Sequence, residues 1–120
     1  MPQSTDLLTA LGNATSSEIV IIDSIGTWLA DVMGRHPVGT STVEWHDQIE
    51  GHALRLADVI ASCAADVIAI SEEVGWGVVP AHVSGRVFRD VMGRTNQRLC
   101  ATAKEAHLVV SGMALDLKKP

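Results

Sequence analysis

Two carboxylates, Glu72 and Glu73, stand at the exit of the apolar run Val67-Ile68-Ala69-Ile70, and Gly75-Trp76-Gly77 and Pro80 bend the chain directly after them. Glycine permits positive φ and close backbone approach, so a ligand could lie against this turn. The competing reading is an ordinary strand-to-helix turn with solvated acids and Trp76 packed into the core. A third acid has a similar setting, because Ile19-Val20-Ile21-Ile22 ends on Asp23. Four apolar residues and then Asp have the shape of a strand whose carboxylate holds Mg²⁺ beside a nucleotide phosphate. Many buried strands also end in Asp simply to cap the next helix.

The stretch from Gly85 to Arg98 carries Arg86, Arg89, Arg94 and Arg98, four of the six arginines in the chain. A guanidinium fork suits phosphates or carboxylates, and Asn96-Gln97 add amide donors and acceptors. The plainer alternative is a solvated helix face with an internal pair between an arginine and Asp90. The five histidines, His36, His46, His52, His82 and His107, form no H-x-x-x-H or H-x-H pair, which argues against zinc. Cys63 and Cys100 read as small core residues of a reduced compartment. A phosphate-cradling loop needs G-x-x-x-x-G-K-[ST], and Lys104, Lys118 and Lys119, the only lysines, stand in no such pattern.

These residues need elements to carry them. The runs Ile19–Ile22, Val67–Ile70 and Leu108–Val110 are continuous rather than alternating, as in parallel strands covered on both faces. Ser41 and Glu44 have capping-box spacing ahead of a helix on which Ile49, Ala53, Leu56, Ile60 and Cys63 make one stripe. A second helix is predicted from about Ser84 to Glu105, with Phe88, Val91, Met92 and Leu99 inward. A shorter one spans Trp28 to Met33, and residues 34–42 form the clear loop. Strand, helix, strand, helix, strand predicts an α/β domain with ligands outside the carboxyl ends of its strands. Asp23, Glu72 and Glu73 would then all project from that edge, with Asp23 and Glu73 facing one cleft.

At 120 residues the chain is expected to be a single domain over 1–120. It is 47% hydrophobic but holds one Phe, three Trp and no Tyr, which predicts an aliphatic core. A net charge of −5 argues against nucleic acid as a partner. The Met1 end is polar and no apolar run reaches the ~18 residues of a membrane span, so a cytoplasmic protein is expected.

Taken together, residues 19–33, 73–99 and 107–118 resemble the adenosylcobinamide kinase / adenosylcobinamide-phosphate guanylyltransferase family of cobalamin biosynthesis. Glu73 to Pro80 reads E-V-G-x-G-[IV]-V-P, with Gly75 and Gly77 in place. Arg86 to Gln97 reads R-x-F-R-D-x-x-G-x-x-N-Q, through Phe88-Arg89-Asp90, Gly93 and Asn96-Gln97. Gly112 and Lys118 fit the closing G-x-x-x-x-[LI]-K. The resemblance implies a P-loop NTPase-like (RecA-like) fold, a mostly parallel sheet flanked by helices, and assembly as a homotrimer. It also implies phosphorylation of the aminopropanol hydroxyl of adenosylcobinamide by ATP or GTP, then GMP transfer from GTP through a guanylylated histidine. By resemblance Asp23 serves Mg²⁺ and nucleotide and Glu73 lies at the nucleotide, while Gly75, Gly77, Pro80, Arg89, Asp90, Asn96 and Gln97 shape the site or a subunit contact.

In the family, the P-loop and the guanylylated histidine both precede the acidic strand. Only eighteen residues precede Ile19 here, and they hold neither feature. His36 comes after that strand and does not inherit the role. The expectation is a fold lacking the first strand and P-loop: a fragment or subunit of the bifunctional enzyme, inactive in isolation and completed by a P-loop-bearing chain. The alternative is a non-catalytic interaction subunit that keeps the family's oligomerisation surface.

Overall fold

The computed structural model describes residues 4–119. Its elements run α1 (Ser4–Asn13), β1 (Ile19–Asp23), α2 (Ile25–Arg35), α3 (Thr42–Ala61), β2 (Asp66–Ile70), α4 (Val83–Thr102), β3 (His107–Val110) and β4 (Met113–Asp116). The architecture is α/β, with a parallel sheet flanked by helices. β1 and β2 pair in parallel, Ile19 against Asp66 through Asp23 against Ile70. Both carboxyl ends therefore lie at one edge of the sheet.

Helix starts follow local chemistry. The Ser41 hydroxyl accepts from Glu44 N at 3.2 Å and begins α3, as the capping-box spacing predicts. Ser24 does the same for α2, accepting from Thr27 N at 3.2 Å. The core gathers Leu11 of α1, Ile22 of β1, Ile25, Trp28, Leu29 and Val32 of α2, Trp45, Ile49, Ala53 and Leu56 of α3, and Val87, Val91 and Met92 of α4. The predicted stripes of α3 and α4 are recognisable there, with Phe88, Leu99, Ile60 and Cys63 half-buried at their ends.

Several expectations fail, each for a physical reason. Residues 107–110 do not join the parallel sheet; they pair antiparallel with β4, Val110 against Met113, across a two-residue loop. Ser111 and Gly112 both hold positive φ, 54° and 76°, the twist that a tight hairpin requires. The core is not purely aliphatic, since Trp28 and Trp45 are buried. The parallel sheet is covered on one face only. Val20, Ile22 and Val67 point to the helices, while Ile19, Ile21, Ile68 and Ile70 are 65%, 64%, 54% and 46% exposed.

Candidate functional site

The strand exit at Ser71 is pinned to α4. The Asn96 amide accepts from the Ser71 hydroxyl at 2.5 Å and donates to Glu72 O at 3.0 Å. This fixes the two acids on different sides. The Glu72 carboxylate packs against Gly26 in the first turn of α2, so closely that a Cβ at Gly26 would collide with it. A carboxylate there meets the positive end of the helix dipole. Glu73 turns the other way, and its Oε1 accepts from Gly75 N at 2.9 Å.

Two arginines of α4 hold the loop that follows. Arg89 donates to Gly75 O at 2.8 Å, and Arg86 to Pro80 O and Ala81 O at 3.2 and 2.9 Å. Pro80 sits on Gly85, where an added Cβ would come within 2.8 Å of it. Gly75 and Gly77 are not among the positive-φ glycines, which among the described residues number Gly112 alone. Gly75 instead allows the approach of the Glu73 carboxylate, 2.9 Å from where a Cβ would stand. Gly77 has open space around it.

Between loop and helix lies an open cleft of about 630 Å³. Glu73, Gly75, Val79 and Pro80 form one wall, and Arg86, Arg89, Asp90, Gly93, Arg94 and Gln97 the other. The sequence-predicted Glu73, Gly75, Pro80, Arg89, Asp90 and Gln97 are thus brought together. Asp23, Gly77 and Asn96 are not part of the wall. Asp23 shares the cleft's end of the sheet, but strand alternation puts it on the side of Ile19 and Ile21, the uncovered face. The expectation that Asp23 and Glu73 face one cleft is therefore not met.

The helix-face alternative for the arginines is half right. Arg94 pairs with Asp90 at 3.5 Å and with Glu50 at 3.1 Å, and Arg98 pairs with Asp58 at 3.1 Å, stitching α4 to α3. Sequence reasoning missed His46, whose Nε2 lies 2.5 Å from Asp90 Oδ2 across the same seam. No sequence signal links residues 44 positions apart. His46 also forms a mixed group with Asp47 and Glu50, their donor atoms within 4.8 Å of one another. The Arg94 guanidinium already compensates Glu50 there. Trp76, placed in the core by one reading, is 72% exposed. Among the described residues no helix is long and apolar enough to cross a membrane.

Comparison with known proteins gives this geometry a family. The model of the family described as cobinamide kinase / cobinamide phosphate guanyltransferase matches residues 1–117. The bifunctional adenosylcobalamin biosynthesis protein CobU of Escherichia coli K12 is 34% identical over 107 residues, 85% of this chain and 59% of the relative. The protein of the same name from Salmonella typhimurium LT2 is 50% identical over 56 residues, 47% of this chain and 31% of the relative. The matched region thus spans little more than half the E. coli protein and about a third of the Salmonella one. This chain belongs to the cobinamide kinase / cobinamide phosphate guanyltransferase family.

Proposed function

We propose that this chain forms one side of an adenosylcobinamide kinase and adenosylcobinamide-phosphate guanylyltransferase, completed by a P-loop-bearing polypeptide. The observation that carries the proposal is the family match over residues 1–117. The reaction is phosphorylation of adenosylcobinamide by ATP or GTP, followed by GMP transfer from GTP.

The sheet edge supports this reading. Asp23 ends β1 on the uncovered face, beside the four exposed isoleucines. Parallel sheets are normally covered on both faces, so an incoming βα unit would seat there and meet Asp23 as it did so. The donors at that edge are oxygens: the exposed Asp23 carboxylate and the Ser24 and Thr27 hydroxyls, 3.0 Å apart. They fit Mg²⁺, a hard cation bound through one or two carboxylates, substrate phosphates and water. When bound, the ion would neutralise charge on the nucleotide phosphates. The chain's own task is to hold that ion through Asp23 and to fix the neighbouring strand exit through Asn96 and Glu72. The family reading also carries assembly into a homo-oligomer, expected to be a trimer.

Phosphoryl transfer draws on P-loop amides and lysine, and the loss of such donors costs roughly a hundredfold to a thousandfold each. The 120 residues hold no G-x-x-x-x-G-K-[ST], so this polypeptide alone is expected to be close to inert. Incubation with Mg²⁺ and radiolabelled GTP should give no covalent GMP adduct and no phosphorylation of adenosylcobinamide. Both activities should appear when a P-loop-bearing polypeptide is supplied. Acid-labile label on this chain alone, lost on replacing one of its five histidines, would overturn the proposal. A stable complex that stays inactive would leave the interaction-subunit reading, which the uncovered isoleucine face favours.

A further inference from the structure

The seam between α3 and α4 carries a polar cluster centred on His46. His46 and Glu50 stand four residues apart on one face of α3, with Asp47 beside them. Asp90 and Arg94, four residues apart on α4, meet them across the seam. Donor atoms of His46, Asp47 and Glu50 all lie within 4.8 Å of one another. The side chains of His46 and Glu50 are 24% and 18% exposed, whereas that of Asp47 is 74% exposed and leaves the group open to solvent. None of the three is part of the cleft wall.

The imidazole is oriented from outside the group. Its Nε2 lies 2.5 Å from Asp90 Oδ2, and an ionised carboxylate only accepts, so Nε2 carries the proton. In the neutral ring Nδ1 is then a lone pair, and it faces the Asp47 carboxylate, with Oδ1 3.7 Å away. A cation between these two acceptors would satisfy both. Histidines that bind a metal through one nitrogen commonly donate from the other to a carboxylate, as His46 does to Asp90. Glu50 holds Arg94 through Oε1 at 3.1 Å, and its second oxygen is available to a ligand. Asp47, Glu50 and Asp90 against Arg94 leave a net charge of −2, which a divalent cation neutralises.

We propose that His46 Nδ1, Asp47 and Glu50 bind a divalent transition-metal ion, with Asp90 as the positioning residue for His46. One imidazole nitrogen and two carboxylate oxygens suit an ion such as Zn²⁺, with water in the remaining position. Mg²⁺ fits poorly, because it prefers oxygen ligands in near-ideal octahedral geometry. The site is therefore distinct from the sheet edge at Asp23, which is not in this group. Histidine-to-histidine spacing does not reveal it, because its ligands are one histidine and two acids in the order H-D-x-x-E. A bound ion ties α3 to α4 through the bond between His46 and Asp90. The proposal does not rest on the family reading.

The test uses the untagged, chelator-treated 120-residue chain, titrated with zinc chloride by calorimetry in a millimolar excess of Mg²⁺ and melted with and without zinc. Expected is one Zn²⁺ per chain at micromolar concentration, undisturbed by Mg²⁺, with a raised melting temperature. His46→Gln and Glu50→Gln should each remove saturable binding and the thermal shift, with circular dichroism reporting whether the variant is folded. Asp47→Asn, at an exposed position, should weaken binding and decides the matter where His46→Gln does not fold. Asp90→Asn should keep the site but weaken it about tenfold to a hundredfold. Asp23→Asn and His52→Gln should bind as wild type does. No saturable binding at micromolar zinc overturns the proposal and leaves His46 as an imidazolium between two carboxylates. Binding that survives His46→Gln and Asp47→Asn also overturns it, placing the zinc on His36 and His52 or on the cysteines. So does one ion per two chains, the mark of a bridge between copies. Asp90→Asn that binds as tightly as wild type overturns the role given to Asp90. No outcome bears on the completed enzyme's activity, because no substrate is present.

Discussion

Asn96 uses both ends of one amide on a single strand exit, accepting from Ser71 and donating to Glu72 O. Asn96→Ala leaves a half-buried carbonyl without its donor, at a cost of about 1–2 kcal/mol. A urea-denaturation midpoint equal to wild type would show that the strand exit does not depend on this pin. Gly26 sets two terms against each other. Alanine there would gain helix propensity of about 1 kcal/mol but displace the Glu72 carboxylate, losing dipole stabilisation of about 0.3–1 kcal/mol. The carboxylate is the far end of a flexible side chain and can rotate away, so Gly26→Ala should be nearly neutral in a thermal melt. Residues inside contiguous motifs, such as Glu73, Arg89 and Asp90, were legible because their spacing is local. His46 was not, and neither was the exposure of Trp76, because both depend on how α3 and the 71–82 segment pack against α4.

Helix α3 was readable from Ser41 onward, since a cap and a stripe at three- and four-residue steps are sequence-local. Ser41→Ala should cost about 1 kcal/mol by the same denaturation measurement. The hairpin carried a signal as well: Ser111-Gly112 between two apolar runs is a two-residue turn, and a continuous-run reading of 108–110 passes over it. Helix α1 was announced only by Leu7, Leu8 and Leu11, too short a pattern to stand alone. One pH response belongs to this scale. The α3 residue His52 stacks on His36 with ring centroids 4.6 Å apart. Burial, then the charges of His36 and Arg55, lower its pKa below the ordinary 6.5. The unfolded chain therefore takes up the proton more readily. The associated stability is complete above about pH 6.5 and is lost as pH falls through the folded pKa. Wild type should lose more melting temperature than His52→Gln between about pH 7 and pH 5. Parallel losses in the two proteins would show that His52 does not contribute.

Across the whole molecule the largest irregularity is the half-covered sheet. Four isoleucines on one face, with Val109, Met113 and Leu115 of the hairpin also exposed, leave more apolar surface in water than a lone domain usually shows. The chain alone is expected to self-associate at micromolar concentration, and Ile21→Asp with Ile68→Asp should reduce that. Light scattering that reports a well-behaved wild-type monomer would count against it. The parallel register of β1 and β2 was legible from two continuous apolar runs, but their one-sided burial was not, because continuity of pattern anticipates a second layer. The exposed Trp76 has a last consequence. Chymotrypsin favours bonds after exposed aromatic residues in surface loops, and the bond after Trp76 is the most open such place in the chain. A nick there would sever α4 and the hairpin from everything before them, yet Val91 and Met92 are wholly buried against the other helices. The cut protein should run as two pieces on a denaturing gel and as one body on a sizing column.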